Sequence, residues 1–283
     1  MTSVQQQRPA QKQQQIYDRR AEMMQPQNLE ELKPHKSGKL QNKVALIVGG
    51  DDGIGRAVAI AFAQQGADLA IVCYEAHEEA ENTQHIVQEE GRSCLLIAGD
   101  VGDEQFCQQA VQQVIDQFGK IDILVNNAAE QQPQKSSENT STEELENTLQ
   151  SNLCGMFYMT NAALPYLQEG STIINTTSVT ASPGNQQSLN YTSSKGAILT
   201  FTRSLSQSLG DQGIRVNGVA PGPVWTMLVP SNLPTDQVKA MGAQMSMAGA
   251  TQPNDIAQSV VFLASEDSSY MAGQVLFTQS LPC

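Results

Sequence analysis

A doubly wound α/β domain is predicted for this chain, with a Rossmann-type parallel sheet of about seven strands and helices on both faces. Three observations predict it. Short, apolar, β-branched runs alternate with longer helical ones. The first run opens into a glycine-spaced turn that starts a helix. The residue types that carry chemistry follow the carboxyl ends of strands, where open parallel sheets bind ligands.

The elements follow in order. Lys43-Val-Ala-Leu-Ile-Val48 has the composition of a strand buried on both faces. It runs into Gly49-Gly50-Asp51-Asp52-Gly53-Ile54-Gly55 and a helical segment, Arg56 to Ala63. Gly66 and a second apolar run, Leu69 to Cys73, complete a strand, turn, helix, strand unit. Glycines let the backbone turn tightly and approach a pyrophosphate, whose charge rests on the helix N-terminus. The spacing is G-x-x-x-G-x-G rather than G-x-G-x-x-G. Downstream, residues 93–98, 121–125, 171–177 and 213–219 read as strands, and 104–118, 142–167, 191–209 and 254–264 as helices. Residues 40–283 thus form the Rossmann-type domain.

Tyr191 and Lys195 stand four apart at the start of an apolar-faced helix, so both side chains share one face. A fixed ammonium beside a phenol favours phenolate and lowers the tyrosine pKa. A tyrosine tuned this way exchanges a proton with a substrate oxygen.

Composition excludes several classes. The net charge is −13, opposite in sign to the clustered basic surface that nucleic acids or anionic membranes require. No apolar run approaches the roughly 18 residues that span a bilayer. The N-terminus has no apolar core of a secretory signal, so a cytoplasmic location is expected. The five cysteines form no C-x-x-C pair and read as buried free thiols in a reducing compartment, with a thiol nucleophile as the remote alternative. His35, His77 and His85 have no ligand-like spacing, so no metal site is expected.

Residues 1–39 differ from the rest. Seven of the first fifteen are glutamine and prolines recur, which argues against a core of their own. An extended or disordered tail is expected, with Ile16, Tyr17, Met23, Met24 and Leu29 as its anchors if it lies on its own or a neighbouring subunit. The stretch from Pro223 to Gly249 is rich in Met with weak periodicity and reads as a substrate lid.

The glycine turn, a serine far downstream and the Y-x-x-x-K pair together resemble the short-chain dehydrogenase/reductase family. Gly99-Asp100-Val101, Asn126-Asn127-Ala128-Ala129, Asn152, Ser178 and Arg215 to Thr226 match further family positions in order. The match covers about residues 40 to 277. In detail it resembles a bacterial subgroup with an extended N-terminal tail, the general-stress and glucose-dehydrogenase-like proteins.

The resemblance implies an NAD(P)-dependent oxidoreductase that interconverts an alcohol or sugar hydroxyl and a carbonyl. Tyr191 would be the general acid and base, Ser178 would hold the substrate oxygen, and Lys195 would tune the tyrosine. Asn152 would hold a water that returns protons. The turn residues Gly49, Asp51, Asp52, Gly53, Ile54 and Gly55 would hold the pyrophosphate end of the cofactor. Tyr74, Asp100 and Val101 would border the adenosine. Asn127, Ala128, Ala129, Tyr191 and Lys195 would surround the nicotinamide side, and Pro221, Gly222, Val224 and Thr226 would flank its ring. Gln131, Gln132, Thr180, Ser182, Gln186 and Trp225 would line the substrate pocket.

NAD is expected over NADP, because Asp51, Asp52, Glu75, Glu78 and Glu79 outnumber Arg56 near the ribose. Val48 stands where the family has Thr, which removes a hydroxyl tying the glycine turn to neighbouring backbone. The end of the chain, Gln279 to Cys283, replaces the family's V-[DN]-G-G and tail. A nucleotide-binding but catalytically impaired homologue, with a sensing or structural role, is the alternative function. The chain is expected to form a homotetramer, or a dimer, through apolar faces of residues 142–167 and 191–209.

Overall fold

The computed structural model describes residues 38–75, 77–131, 141–184, 188–224, 226 and 251–279. Residues 1–37 of the expected tail, most of the expected lid, Gln132, Gln186, Trp225 and Ser280 to Cys283 lie outside the described residues.

Among the described residues, seven parallel strands form one sheet. They are β1 (Val44–Val48), β2 (Asp68–Cys73), β3 (Cys94–Ala98), β4 (Ile123–Asn126), β5 (Thr172–Thr176), β6 (Arg215–Pro221) and β7 (Val275–Thr278). Their order across the sheet is β3-β2-β1-β4-β5-β6-β7. The order reverses between β1 and β4, whose carboxyl ends Val48 and Asn126 lie in register. A crevice opens at such a switch point, and ligands of open sheets bind there.

Helices cover both faces: α1 (Gly53–Gln64), α2 (Glu78–Glu89), α3 (Glu104–Phe118), α4 (Thr142–Leu149), α5 (Gly155–Ala163), α6 (Leu189–Leu209) and α7 (Pro253–Ala264). Alternate side chains of each strand enter opposite cores. Ala45, Ile47, Leu69 and Ile71 pack with Val58 and Phe62 of α1 and Ile256 and Val260 of α7. Val44, Leu46, Val48 and Val72 pack with Val111 and Val114 of α3 and Met159 of α5. Every β1 residue is therefore buried, which is why the run carries no polar alternation.

One expected helix is divided. Residues 142–167 form α4, one π-helical turn (Gln150–Cys154), α5 and a short 3-10 turn. An apolar pattern does not report a single inserted residue, so the interruption had no sequence signal. The π turn holds Asn152, and such turns recur at functional sites. Immediately after it, Gly155 lets the helix approach the loop beyond β3. A Cβ there would lie 2.9 Å from Val101 Cγ2 and 3.0 Å from its carbonyl oxygen.

Candidate active site

The glycine turn is built by close backbone approach. Gly49 has φ +74°, and a Cβ there would lie 2.7 Å from Ala128 Cα. A Cβ on Gly55 would lie 1.7 Å from the Gly49 carbonyl oxygen, so only glycine fits. The glycine turn is tied to the loop that follows β4. Asn127 Nδ2 donates to the Gly49 carbonyl at 2.9 Å, and the Asn127 and Ala128 amides donate to the Val48 carbonyl at 3.0 and 2.8 Å. Thr176 Oγ1 in turn donates to Asn127 Oδ1 at 3.2 Å. Asp52 caps α1 by accepting from the Gly53 amide, and no acidic residue occupies the first turn of that helix. The Cβ-free cradle of Gly49 and Gly55 at the N-terminus of α1 fits a dinucleotide pyrophosphate.

The other expected cofactor residues gather at the same sheet edge. Thr226 lies beside the turn, with its Cγ2 3.1 Å from where a Gly53 Cβ would be. Pro221 ends β6, the Gly222 amide donates to the Thr278 carbonyl at 3.1 Å, and Val224 bridges Thr251. Asp100 Oδ1 accepts from the Gly102 amide at 2.7 Å in the loop after β3, which Val101 shares. Ala129 follows Ala128 in the loop beyond β4 and is half-buried. Tyr74 is exposed at the end of β2. Ile54 differs in kind: its side chain packs against the core, so only its backbone can face a phosphate.

Asn152, Ser178, Tyr191 and Lys195 are brought together by α6, β5 and the π turn. Lys195 is 1 % exposed, and its Nζ donates to the Thr176 carbonyl at 2.8 Å. The same Nζ lies 5.5 Å from the centroid of the Tyr191 ring. Thr177 Oγ1 donates to the Lys195 carbonyl at 2.7 Å, so the last residue of β5 and the one after it hold both ends of this residue. Ser178 accepts from the Thr180 amide at 3.3 Å, with the two hydroxyls 3.0 Å apart, and its side chain hydrogen-bonds Tyr191. Asn152 is buried. Its Nδ2 donates to the Glu130 carbonyl at 2.9 Å and to Ser194 Oγ at 3.1 Å, and its Oδ1 accepts from the Glu130 amide at 2.6 Å. Ser194 Oγ donates to the Tyr191 carbonyl at 2.7 Å.

The electrostatics correct one expectation. Burial raises the Tyr191 phenol above its ordinary value, and the Ser178 hydrogen bond only partly opposes this. Burial also lowers Lys195 from its ordinary 10.5 to about 8. Both shifts arise because a charged form loses water on entering the interior.

Sequence reading missed the Thr176 carbonyl, Thr177, Ser194 and Glu130. Backbone carbonyls carry no sequence signal, and small hydroxyls on a helix face are common. Of the expected pocket residues, Gln131 Nε2 donates to Ser188 Oγ at 3.3 Å, Thr180 lies on Ser178, and Ser182 is exposed. Cys73, Cys94 and Cys107 are pushed up to about 11, 12 and 12 by burial, so none is a thiolate near neutral pH. Among the described residues, no helix is long and apolar enough to cross a membrane.

Residues 48–280 match a family described as enoyl-(acyl carrier protein) reductase. The chain is 49% identical to General stress protein 39 of Bacillus subtilis (strain 168), over 89% of each chain. It is 48% identical to the glucose and ribitol dehydrogenase of Daucus carota, over 86% of each. A short-chain dehydrogenase from Burkholderia cenocepacia J2315 in complex with NADP superimposes with a TM-score of 0.80 at 31% identity, covering 86% of this chain and 98% of the other. With the glycine turn and the Tyr191 and Lys195 pair at one sheet edge, these likenesses lead to one conclusion: the chain belongs to the short-chain dehydrogenase/reductase family and is an oxidoreductase acting on CH–OH groups or carbonyls.

Proposed function

We propose that this oxidoreductase interconverts an alcohol or sugar hydroxyl with its carbonyl, using NAD(P)(H), with Tyr191 as general acid and base. The observation that carries the reading is the Tyr191 phenol hydrogen-bonded to Ser178 with the buried Lys195 beside its ring.

The glycine turn, the N-terminus of α1, Asp100, Val101 and the Pro221 to Thr226 segment would hold the cofactor. When bound, the reduced nicotinamide supplies a hydride to the carbonyl carbon. Ser178 donates a hydrogen bond to the substrate oxygen as negative charge develops there. Tyr191 passes its proton to that oxygen. Lys195 stabilises the phenolate left behind, and its own charge is held on the Thr176 carbonyl. Asn152 is fixed by its bonds to Glu130 and Ser194, and a water held beside it would link Lys195 to solvent and return the proton.

The acids Asp51, Asp52, Glu75, Glu78 and Glu79 favour NAD(H) at the ribose, whereas the similar Burkholderia enzyme holds NADP. Free thiols at Cys73, Cys94, Cys107 and Cys154 support a reducing, cytoplasmic compartment. Phe157 and Leu189, exposed on α5 and α6, support a homotetramer, with a dimer as the smaller form. Cofactor turnover with a panel of aldehydes, ketones and sugars tests the function. Turnover that survives Tyr191→Phe would refute the role of the tyrosine.

A further inference from the structure

The π turn that holds Asn152 is braced from outside its own helix. The Gly155 amide donates to the Gln150 carbonyl, so these two residues close the turn. Both of them meet the loop after β3, Gly99 to Asp103. Gln150 Nε2 donates to the Gly102 carbonyl at 2.6 Å, and a Cβ on Gly102 would lie 3.1 Å from Gln150 Cγ. At the other end the Gly155 backbone lies against Val101, where a Cβ would meet Val101 Cγ2 at 2.9 Å. Cys107 Sγ donates to the Val101 carbonyl at 3.3 Å, so α3 holds the same loop from its other side.

The middle of the turn serves a different partner. Asn152 bonds the Glu130 backbone through both its amide nitrogen and its oxygen, and bonds Ser194 Oγ. Ser194 in turn bonds the Tyr191 carbonyl. An unbroken path therefore runs from Val101 and Gly102, through Gln150 and Gly155, to Asn152, Ser194 and Tyr191. A π turn is an uncommon insertion in an α-helix. Here its two ends rest on one loop while its centre holds another.

We propose that this brace couples the two halves of the cofactor site. Adenosine seated against Asp100 and Val101 fixes the loop after β3. The loop fixes the π turn through Gln150 and Gly155. The turn fixes Asn152 and, through Ser194, Tyr191. Gln150 and Gly155 are positioning residues that act through Asn152. The inference rests on the dinucleotide reading above and adds that the adenosine half raises the rate of the step at the nicotinamide half.

The test divides the cofactor. Reduced nicotinamide mononucleotide is the hydride donor, AMP is the adenosine piece, and the carbonyl is one that the full-length protein reduces with NADH or NADPH. In wild type, saturating AMP should raise kcat with the truncated donor about tenfold, within the span usual for coupling between sites. Gln150→Glu keeps the side chain's shape and loses its donor, and Gly155→Ala adds a Cβ where Val101 stands. Both should lose the activation at saturating AMP, and Gln150→Lys, which restores a donor, should regain it. A helix that is merely loosened would lower the rate with and without AMP alike and leave their ratio unchanged. Hydrogen exchange gives a readout without turnover: AMP alone should slow exchange at residues 150–155 and at Glu130 in wild type and not in Gly155→Ala. No activation in wild type, equal activation in wild type and both loss variants, or unchanged exchange would overturn the proposal. AMP that fails to compete with NADH would overturn it as well, by removing adenosine from the loop. Wild type that reduces no carbonyl of the panel with whole NADH or NADPH would sink the proposed function and this inference with it.

Discussion

Lys195 Nζ donates to the Thr176 carbonyl at 2.8 Å, two residues before Ser178. One strand end therefore anchors the ammonium and delivers the serine. The relation makes the lysine both a buried charge and a reference point for the tyrosine one helical turn away.

The buried charge has a consequence for stability. Lys195 holds its proton with a pKa of about 8 in the fold and an ordinary 10.5 in the open chain. Between these values the unfolded chain binds more protons, so stability rises with pH across that window, by up to roughly 3 kcal/mol. Below about pH 8 both states are protonated and the cost of burying the charge is present in full. Lys195→Met removes this titration. The wild type should gain on the variant as pH rises from about 8 toward 10.5. Urea unfolding at both ends of the window measures it, and a constant difference would deny the shift.

Tyr191→Phe removes the proton donor and leaves the ring packing. Turnover should fall by about a hundred- to ten-thousand-fold, the range for loss of a general acid. Cofactor binding should persist, because the glycine turn is untouched. Steady-state kinetics and nucleotide titration of the same preparation separate the two effects.

Gly55→Ala places a methyl 1.7 Å from the Gly49 carbonyl oxygen and 2.8 Å from Asn127 Nδ2. The turn must open, so nucleotide affinity should drop by at least about tenfold, with stability lowered by about 1–3 kcal/mol. Gly210→Ala is the control, since nothing lies within 4 Å of its Cβ position and its φ is −58°. Fluorescence titration with NADH and NADPH compares them. Equal affinities would mean that the turn does not hold the cofactor.

Phe157 is 41 % exposed, and its ring lies 4.3 Å from that of Phe201, at 53°. Tyr158, Leu164 and Leu205 instead pack against the core on the α3 side. The apolar residues of α5, the turn after it and α6 thus divide between core and surface, the pattern the proposed assembly requires. Phe157→Asp should lower the assembled mass seen by light scattering at micromolar concentration. A wild-type monomer would refute the assembly.

The alternation of strands and helices, the glycine turn and the spacing of Tyr191 with Lys195 were legible in the sequence. Each is a local pattern: burial on both faces makes a run continuous, a tight turn demands glycine, and one helical turn sets four residues side by side. The residues of the proposed proton-transfer site, Asn152, Ser178, Tyr191 and Lys195, were picked out by their order in the chain. Their energetics were not. The phenol of Tyr191 is raised, against the expectation from its lysine, because desolvation depends on what the rest of the chain packs around it. The grip of Thr176 on Lys195, the lock of Asn152 on Glu130, and the pairing of Asp51 with His77 join residues 19, 22 and 26 apart. Contacts of that reach, two of them to backbone carbonyls, leave no periodicity to read. They exist only once a parallel sheet has brought its strand ends to one edge.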